Sequence, residues 1–360
     1  MALLLIEGWE WLSGSETRED IATRMDEFEY WKTSVGSGAG GLLTTRGVFQ
    51  GLELDNGDSF WTRPLKDFGS GSDATFICGL YVKTPGTLAT TDFIRVYCGA
   101  TLQFTIQILA TGELRLQRGG ATTISTTTTT LSTSNEYYLE FKVLVNDTAG
   151  TFEVKIADVT LNNEETITAT DHTDTLLDSK ISSLSTEVTW NRVRFASSMD
   201  GLLIDDVYLA DGSGSDVNDF QGNILVEAIE PNGDGSTTNL TPSSGSNFEN
   251  VDDATMDSDT TYNTADADSE LDLYTMTDIT RTGDIVGVQV QANARITEAS
   301  PRKLRLITRH GTTNGESATT TLADDTYRGR YAIFEQNPDT AAAWTNSDIT
   351  DIECGVKRQG

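Results

Sequence analysis

Short runs of β-branched and aromatic residues recur along the chain with period 2, each ending at Gly, Asn, Asp or Ser, and sustained helical periodicity is nearly absent. The pattern predicts strands at Phe49–Leu54, Ala74–Lys83, Asp92–Cys98, Leu102–Leu109, Glu113–Arg118, Tyr137–Val145, Thr151–Ile156, Thr189–Phe195 and Leu202–Leu209. Asn56-Gly57, Thr111-Gly112 and Asn146–Gly150 supply residues that tolerate positive φ or pre-form a turn, so several neighbours join as antiparallel hairpins. About a dozen strands in roughly 200 residues predict two stacked sheets with Greek-key or jelly-roll connections. One helix is predicted here, Glu16–Phe28, with Ile21, Met25 and Phe28 on one face. The threonine run in Ser125–Thr130 reads as a solvated strand or loop.

The Gly- and Ser-rich loop DGSGSDVND, Asp211–Asp219, interrupts this pattern and predicts a first domain over 1–217 and a smaller second one over 218–360. Strands are predicted in the second at Ile224–Ile229, Ile285–Ile296, Lys303–Thr308, Tyr327–Phe334 and Ile352–Val356. The fold class is therefore all-β, a jelly-roll sandwich followed by a second, smaller β-sandwich. In PRKLRLITRH, alternation puts Leu304, Leu306 and Thr308 on one face and Lys303, Arg305, Ile307 and Arg309 on the other. That basic face is a candidate contact for the acidic loops of a neighbouring subunit, with plain solvation as the alternative.

Charge narrows the function classes. The net charge is -30, and both halves are negative: 31 acidic against 15 basic residues up to position 217, then 24 against 10. Neither half has the basic surplus that phosphate backbones require, which excludes nucleic acid as a partner. Six Trp, ten Tyr and thirteen Phe argue for packed cores rather than disorder. MALLLIEGWEW is too short an apolar run for a span and lacks the flanks of a signal peptide, so membrane insertion is not expected. Three cysteines without a CxxC imply no disulfide framework, and Cys78 and Cys98, on neighbouring predicted strands, read as reduced core residues.

Few chemistries survive this inventory. With two histidines and no GxSxG, a hydrolytic triad is not expected. Glycoside hydrolysis needs two carboxylates on one face, and the nearest arrangement, Glu53, Asp55 and Asp58, is broken by the Asn56-Gly57 turn, leaving a hairpin tip with solvated acids. No cofactor is required; calcium is the one ion the acid-rich stretch could ligate, through Asp252, Asp253, Asp257 and Asp259, although their spacing is not that of an EF-hand. Asp205 and Asp206, adjacent in LLIDDVYLADGSG, fall on opposite faces of a strand and cannot form a catalytic pair. One of them must accept backbone amides or pair with Arg192 or Arg194. Trp61, Tyr97 and Tyr274 are candidates to stack on sugar rings, each with a core or edge position as its alternative.

EYYLEFKVLVNDTAGTFEVKIADV, followed by WNRVRFAS and LLIDDVYLADGSG, resembles the closing half of a concanavalin A-like, laminin-G-type jelly roll, and LIEGWEWL with RGVFQGLELDNGDSFWTRPL is similar to its first strands. The continuation through DFQGNILVEAIEPNGDGSTTNLTPSSGSNFENVDD to IFEQNPDTAAAWTNSDITDIECGVKR, with Pro338, Asp339, Ala343, Trp344, Gly355 and Val356 in order, resembles a version found in virion proteins of tailed bacteriophages. The resemblance implies a non-enzymatic structural component of a virion, in the tail-fibre, collar or head-decoration class. Such a protein is made in the bacterial host cytoplasm, assembles as a homo-oligomer with other virion proteins, and can carry host-surface glycan binding. A glycan-degrading depolymerase and a calcium-dependent lectin are the alternatives. No heptad or collagen-like segment is present, which favours a globular subunit over a shaft.

Overall fold

A computed structural model describes residues 3–9, 12, 18–27, 31–34, 42–45, 49–65, 74–146, 149–158, 172–177, 190–253, 256–298 and 300–360. The first part of the chain forms β1 (Leu3–Glu7), α1 (Arg18–Glu27), β2 (Trp31–Ser34), β3 (Leu42–Thr45), β4 (Phe49–Leu54), β5 (Ser59–Thr62), β6 (Thr75–Lys83), β7 (Thr91–Cys98), β8 (Thr101–Ile108), β9 (Glu113–Arg118), β10 (Thr122–Thr130), β11 (Glu136–Leu144), β12 (Gly150–Asp158), β13 (His172–Leu177), β14 (Arg192–Ala196) and β15 (Leu202–Asp211). The remainder forms β16 (Pro231–Thr238), β17 (Thr241–Pro242), β18 (Asn263–Thr264), β19 (Leu271–Met276), β20 (Val288–Ala294), β21 (Arg302–His310), β22 (Thr313–Glu316), β23 (Thr320–Leu322), β24 (Arg328–Phe334), α2 (Asn346–Thr350) and β25 (Glu353–Arg358). Among the described residues no helix is long and apolar enough to cross a membrane.

Two antiparallel sheets make the first unit: an eight-stranded one in the order β13-β12-β11-β6-β15-β4-β3, with β1 paired to β15, and a seven-stranded one in the order β10-β9-β8-β7-β14-β5-β2. Aromatic rings fill the space between them. Phe60 stacks on Phe195 at 5.0 Å and meets Trp31 edge-on at 4.9 Å, while Phe76 of one sheet meets Phe104 of the other at 5.5 Å. A buried Glu7 orders this end of the core by accepting the Trp9 amide at 2.9 Å and the Trp31 indole N–H at 2.8 Å. Ile21 and Met25 of α1 are buried, as the helical spacing predicts. Cys78 and Cys98 are buried and form no disulfide, as expected of reduced core residues, but lie in different sheets, because the chain crosses from one sheet to the other between β6 and β7. Consecutive strands in a jelly roll need not be neighbours, so the placement of these two cysteines on neighbouring strands does not hold. The Asp55 tip also differs from expectation. Its turn is present, yet Asp55 and Asp58 are buried rather than solvated, since Asp55 Oδ1 accepts the Gly201 amide at 2.9 Å and Asp58 Oδ2 the Asp55 amide at 2.9 Å.

Lys155, Glu140, Gly79 and Tyr208 stand directly opposite one another across β12, β11, β6 and β15 of the eight-stranded sheet. Only glycine fits the third place: a Cβ there would lie 2.1 Å from Cε1 of the Tyr208 ring. Passing over Gly79, Tyr208 donates its hydroxyl to Glu140 Oε1 at 2.5 Å. The same oxygen accepts the backbone amides of Gln221 at 2.7 Å and Gly222 at 2.9 Å, Lys142 pairs with Asp219 at 3.0 Å, and Phe220 lies 4.6 Å from the Lys155 ammonium. Residues 219–226 are thus an extended strap held on this face, not the start of a new strand. The division between the two compact units accordingly falls after Val226 rather than after residue 217.

Asp205 and Asp206 belong to this anchorage. β15 carries one extra residue between Asp205, opposite Tyr81, and Tyr208, opposite Gly79, and Asp206 takes up the bulge at φ 48. The strict alternation expected across this pair is therefore interrupted at Asp206. Both carboxylates are buried and take amides, not Arg192 or Arg194: Asp205 Oδ1 accepts the Asp206 amide at 2.8 Å, and Asp206 Oδ1 accepts the Val226 amide at 2.7 Å.

The second unit, from Glu227, has a six-stranded antiparallel sheet, β16-β19-β25-β21-β22 with β23 also on β21, and a two-stranded ribbon of β20 and β24. Leu304, Leu306, Trp344, Ile349 and Ile352 lie in its buried core cluster, and Val288 and Phe334 of the ribbon pack against it. A capping box at Thr345 and Asp348 starts α2. β16 escaped the sequence reading because PNGDGSTT has no apolar alternation; its Gly235 sits where a Cβ would come within 2.6 Å of the Leu273 carbonyl oxygen.

Gly79→Ala is expected to destabilise the protein by about 1–3 kcal/mol, the cost of displacing a packed ring, with the urea midpoint as the measurement. Burial raises the Glu140 carboxyl above the ordinary 4.5 despite the hydrogen bonds from Tyr208, Gly222 and Gln221 and the charge of Lys155. A carboxyl with a raised folded pKa contributes stability that is fully present below pH 4.5 and is lost as pH rises through the folded value. Glu140→Gln is expected to remove that loss, so its stability curve against pH should be flatter than the parent's over this interval.

Candidate functional site

Burying Phe60, Val193, Phe195, Val96, Phe104, Ile106 and Leu116 between the sheets turns the residues beside them to the outer face of the seven-stranded sheet. The register aligns five of these into one row. Gln117 on β9 is opposite Thr105 on β8, Thr105 opposite Arg95 on β7, Arg95 opposite Arg194 on β14, and Arg194 opposite Trp61 on β5. Arg115, Gln107 and Asp92 form a second row across β9, β8 and β7, and Tyr97 stands opposite Arg192.

A bulge joins the two rows. β7 has an extra residue between Asp92 and Ile94, so Asp92 and Arg95, three positions apart, come to the same face and form a close ion pair. Gln107 donates its amide to Asp92 and accepts Arg115 Nε at 2.7 Å, which makes a chain Arg115–Gln107–Asp92–Arg95. Burial alone raises the Asp92 pKa, but hydrogen bonds from Gln107 and Arg95 and the charges of Arg95 and Arg194 outweigh it and hold the carboxyl below the usual aspartate value.

The aromatic side of the face is built differently. Trp61 and Tyr97 have ring centres 6.1 Å apart. The Arg192 guanidinium lies 5.3 Å from the Trp61 ring and 4.9 Å from the Tyr97 ring, and that of Arg194 lies 4.9 Å from Trp61 while donating to Ser59 Oγ at 2.9 Å. Among the described residues, Arg115, Arg192 and Arg194 have no carboxylate within salt-bridge distance. Thr105 Oγ1 and Gln117 Oε1 are buried under the face with no hydrogen-bond partner among the described residues.

Of the residues singled out from sequence, Trp61 and Tyr97 are therefore brought together, with their ring faces taken by arginine. Tyr274 is elsewhere: it is 5% exposed in the second unit, donates to Asp272 Oδ2 at 3.1 Å and accepts from Asn263 at 3.0 Å, so it is a core residue. The four aspartates do not gather; among the described residues no group of three or more His, Cys, Asp or Glu side chains could hold a metal ion. Asp259 pairs with Arg295 at 2.6 Å and accepts Tyr327 at 2.8 Å, Asp253 and Asp257 both accept from Thr261 Oγ1, and Asp252 is not drawn in with them. The basic face of β21 finds its acids within its own unit: Arg305 pairs with Glu316 at 2.9 Å and Arg309 with Glu353 at 3.6 Å, leaving Lys303 exposed. Arg95, Arg115, Arg192 and Arg194 were not singled out as site residues. WNRVRFAS carried the signal, since alternation puts Arg192 and Arg194 on one face and Val193 and Phe195 on the other.

No family model matches the chain, and no curated protein matches it. The likeness to solved structures is one of fold. Domain 4 of AbnA, an extracellular GH43 arabinanase from Geobacillus stearothermophilus solved with arabinotriose, is similar at 11% identity over 58% of this chain and 92% of that one, with a TM-score of 0.36. A PL-14 alginate lyase from Aplysia kurodai is similar at 9% identity over 59% and 98%, with a TM-score of 0.40. The winged bean acidic lectin, in complex with methyl-α-D-galactose, is similar at 10% identity over 50% and 89%, with a TM-score of 0.30. At these identities and scores the neighbours carry no argument about what this chain binds or does.

Asp92→Asn is expected to leave Arg95 and Arg194 facing each other uncompensated and to cost about 1 kcal/mol, read by denaturant unfolding at neutral pH. Because the folded pKa of Asp92 is depressed, its contribution is present above 3.8 and fades as pH falls through the folded value. The gap between the two proteins is therefore expected to close in acid.

Proposed function

We propose that the protein is a non-catalytic glycan-binding component of a tailed-bacteriophage particle, and that it binds sugar through the outer face of the seven-stranded sheet. One observation carries the binding part: two half-buried arginines held on Trp61 and Tyr97, with no carboxylate partner among the described residues. Such a face presents hydrogen-bond donors held in place by aromatic rings, which sugar oxygens can accept from. The particle context, with assembly as a homo-oligomer among other virion proteins, rests on the resemblance of the closing phrase Ile333–Arg358 and of the strap sequence.

What weighs against the depolymerase reading is that the Asp55 and Asp58 carboxylates accept backbone amides at a hairpin tip. The calcium-lectin reading is left with aspartates committed to Arg295, Tyr327 and Thr261.

The test is a glycan array with the full chain, repeated with a chelator, alongside a reducing-end assay on the glycans that bind. Binding insensitive to the chelator and without sugar release is expected, and Trp61→Ala, which removes the platform under both arginines, should weaken it about tenfold. Release of reducing ends would establish the depolymerase, and loss of binding in chelator the calcium lectin.

A further inference from the structure

We infer that the ligand of this face is an acidic glycan, a polymer whose sugars carry carboxylates, and that Arg192 and Arg194 receive those carboxylates. The inference rests on the glycan-binding reading and names the substrate class of the same face. Charge is the first reason. The chain has 55 acidic residues against 25 basic ones, yet four arginines meet here, and among the described residues Asp92 is the only acid within salt-bridge distance of any of them. In a protein so rich in acids, arginines left unpaired side by side are not a by-product of composition.

Geometry is the second. Arg95 and Arg194 are direct cross-strand partners, an arrangement in which like charges repel. Asp92 forms a direct ion pair with Arg95 and reaches Arg194 only through its charge, and an anion over Arg194 would relieve the rest. Contact with the Trp61 and Tyr97 rings also holds both guanidiniums on this face, and a guanidinium held in place can grip a carboxylate through its terminal N–H groups. The rings thus act by positioning arginines.

Repetition chooses among anions. Arg95 and Arg194 lie side by side at the inter-strand spacing of about 4.8 Å, and Arg192 is two residues from Arg194 on β14, so the face offers several guanidiniums over a short span, which suits a polymer of repeated carboxylates better than a single small anion.

The test measures binding of the full chain to a galacturonic acid oligomer, to its methyl ester, in which the backbone is kept and the charge removed, and to polyglutamate, by calorimetry at two salt concentrations. The acid is expected to bind at least tenfold more tightly than the ester and than polyglutamate, and to weaken as salt rises. Arg194→Ala and Arg192→Ala should each lose tenfold or more with the thermal midpoint as a check on folding. Arg194→Lys, which keeps the charge and loses the planar fork, should fall between. Ester binding as tightly as the acid, or variants that bind like the parent, would overturn the acidic-glycan assignment while leaving sugar binding intact. Polyglutamate binding as tightly as the oligomer would move the face to acidic protein segments. If neither acid nor ester nor any arrayed glycan binds, the broader reading falls with it.

Discussion

Successive side chains on a strand point to opposite faces, and everything distinctive about the first unit follows from filling one of those faces with rings. Once Phe60, Phe195, Phe76 and Phe104 are committed to the space between the sheets, Trp61, Arg192, Arg194 and Arg95 have only the outer face left to them. Burial of the aromatic core stabilises the sandwich, and the same step sets the arginines in register. Site and core are two readings of one alternation.

The two outer faces are treated in opposite ways. On the eight-stranded sheet the chain covers its own row: Glu140 and Asp206 take amides from residues 221, 222 and 226, and a glycine clears the way for Tyr208 to reach Glu140. Buried carboxylates are costly unless hydrogen-bonded, and here the strap supplies the bonds, which ties its position to the folding of the sheet. On the seven-stranded sheet the charges have the opposite sign, and among the described residues Asp92 is the one acid that pairs with them. A chain of net charge -30 that places arginines on aromatic rings, with no carboxylate partner among the described residues, has kept a local field contrary to its overall one.

Bulges supply the exceptions to alternation, and two of them act at polar residues. In β7 the extra residue brings Asp92 round to Arg95; in β15 it turns Asp206 into the left-handed region, where its carboxylate reaches the Val226 amide. Neither carries a glycine that would mark it in the chain. That is why Asp205 and Asp206 looked separable by simple strand geometry, and why the pairing of Asp92 with a residue three positions on had no sequence signal.

Local pattern determined a good deal by itself. The runs at Phe49–Leu54, Glu113–Arg118 and Leu202–Leu209 declare strands because apolar residues recur there at short spacing between turn signals, and the shared helical face of Ile21 and Met25 declares α1. The all-β class and the existence of two units were legible for the same reason, since period and punctuation are properties of neighbouring residues. Tertiary structure alone decided which strands pair, so that Cys78 and Cys98 separate into different sheets, residues 219–226 return as a strap, Tyr274 goes to a core and Trp61 joins Tyr97. Those outcomes depend on contacts between residues far apart in the chain, such as Trp61 with Arg194 and Glu140 with Gly222, and alternation says which face a side chain takes but not which strand will lie beside it.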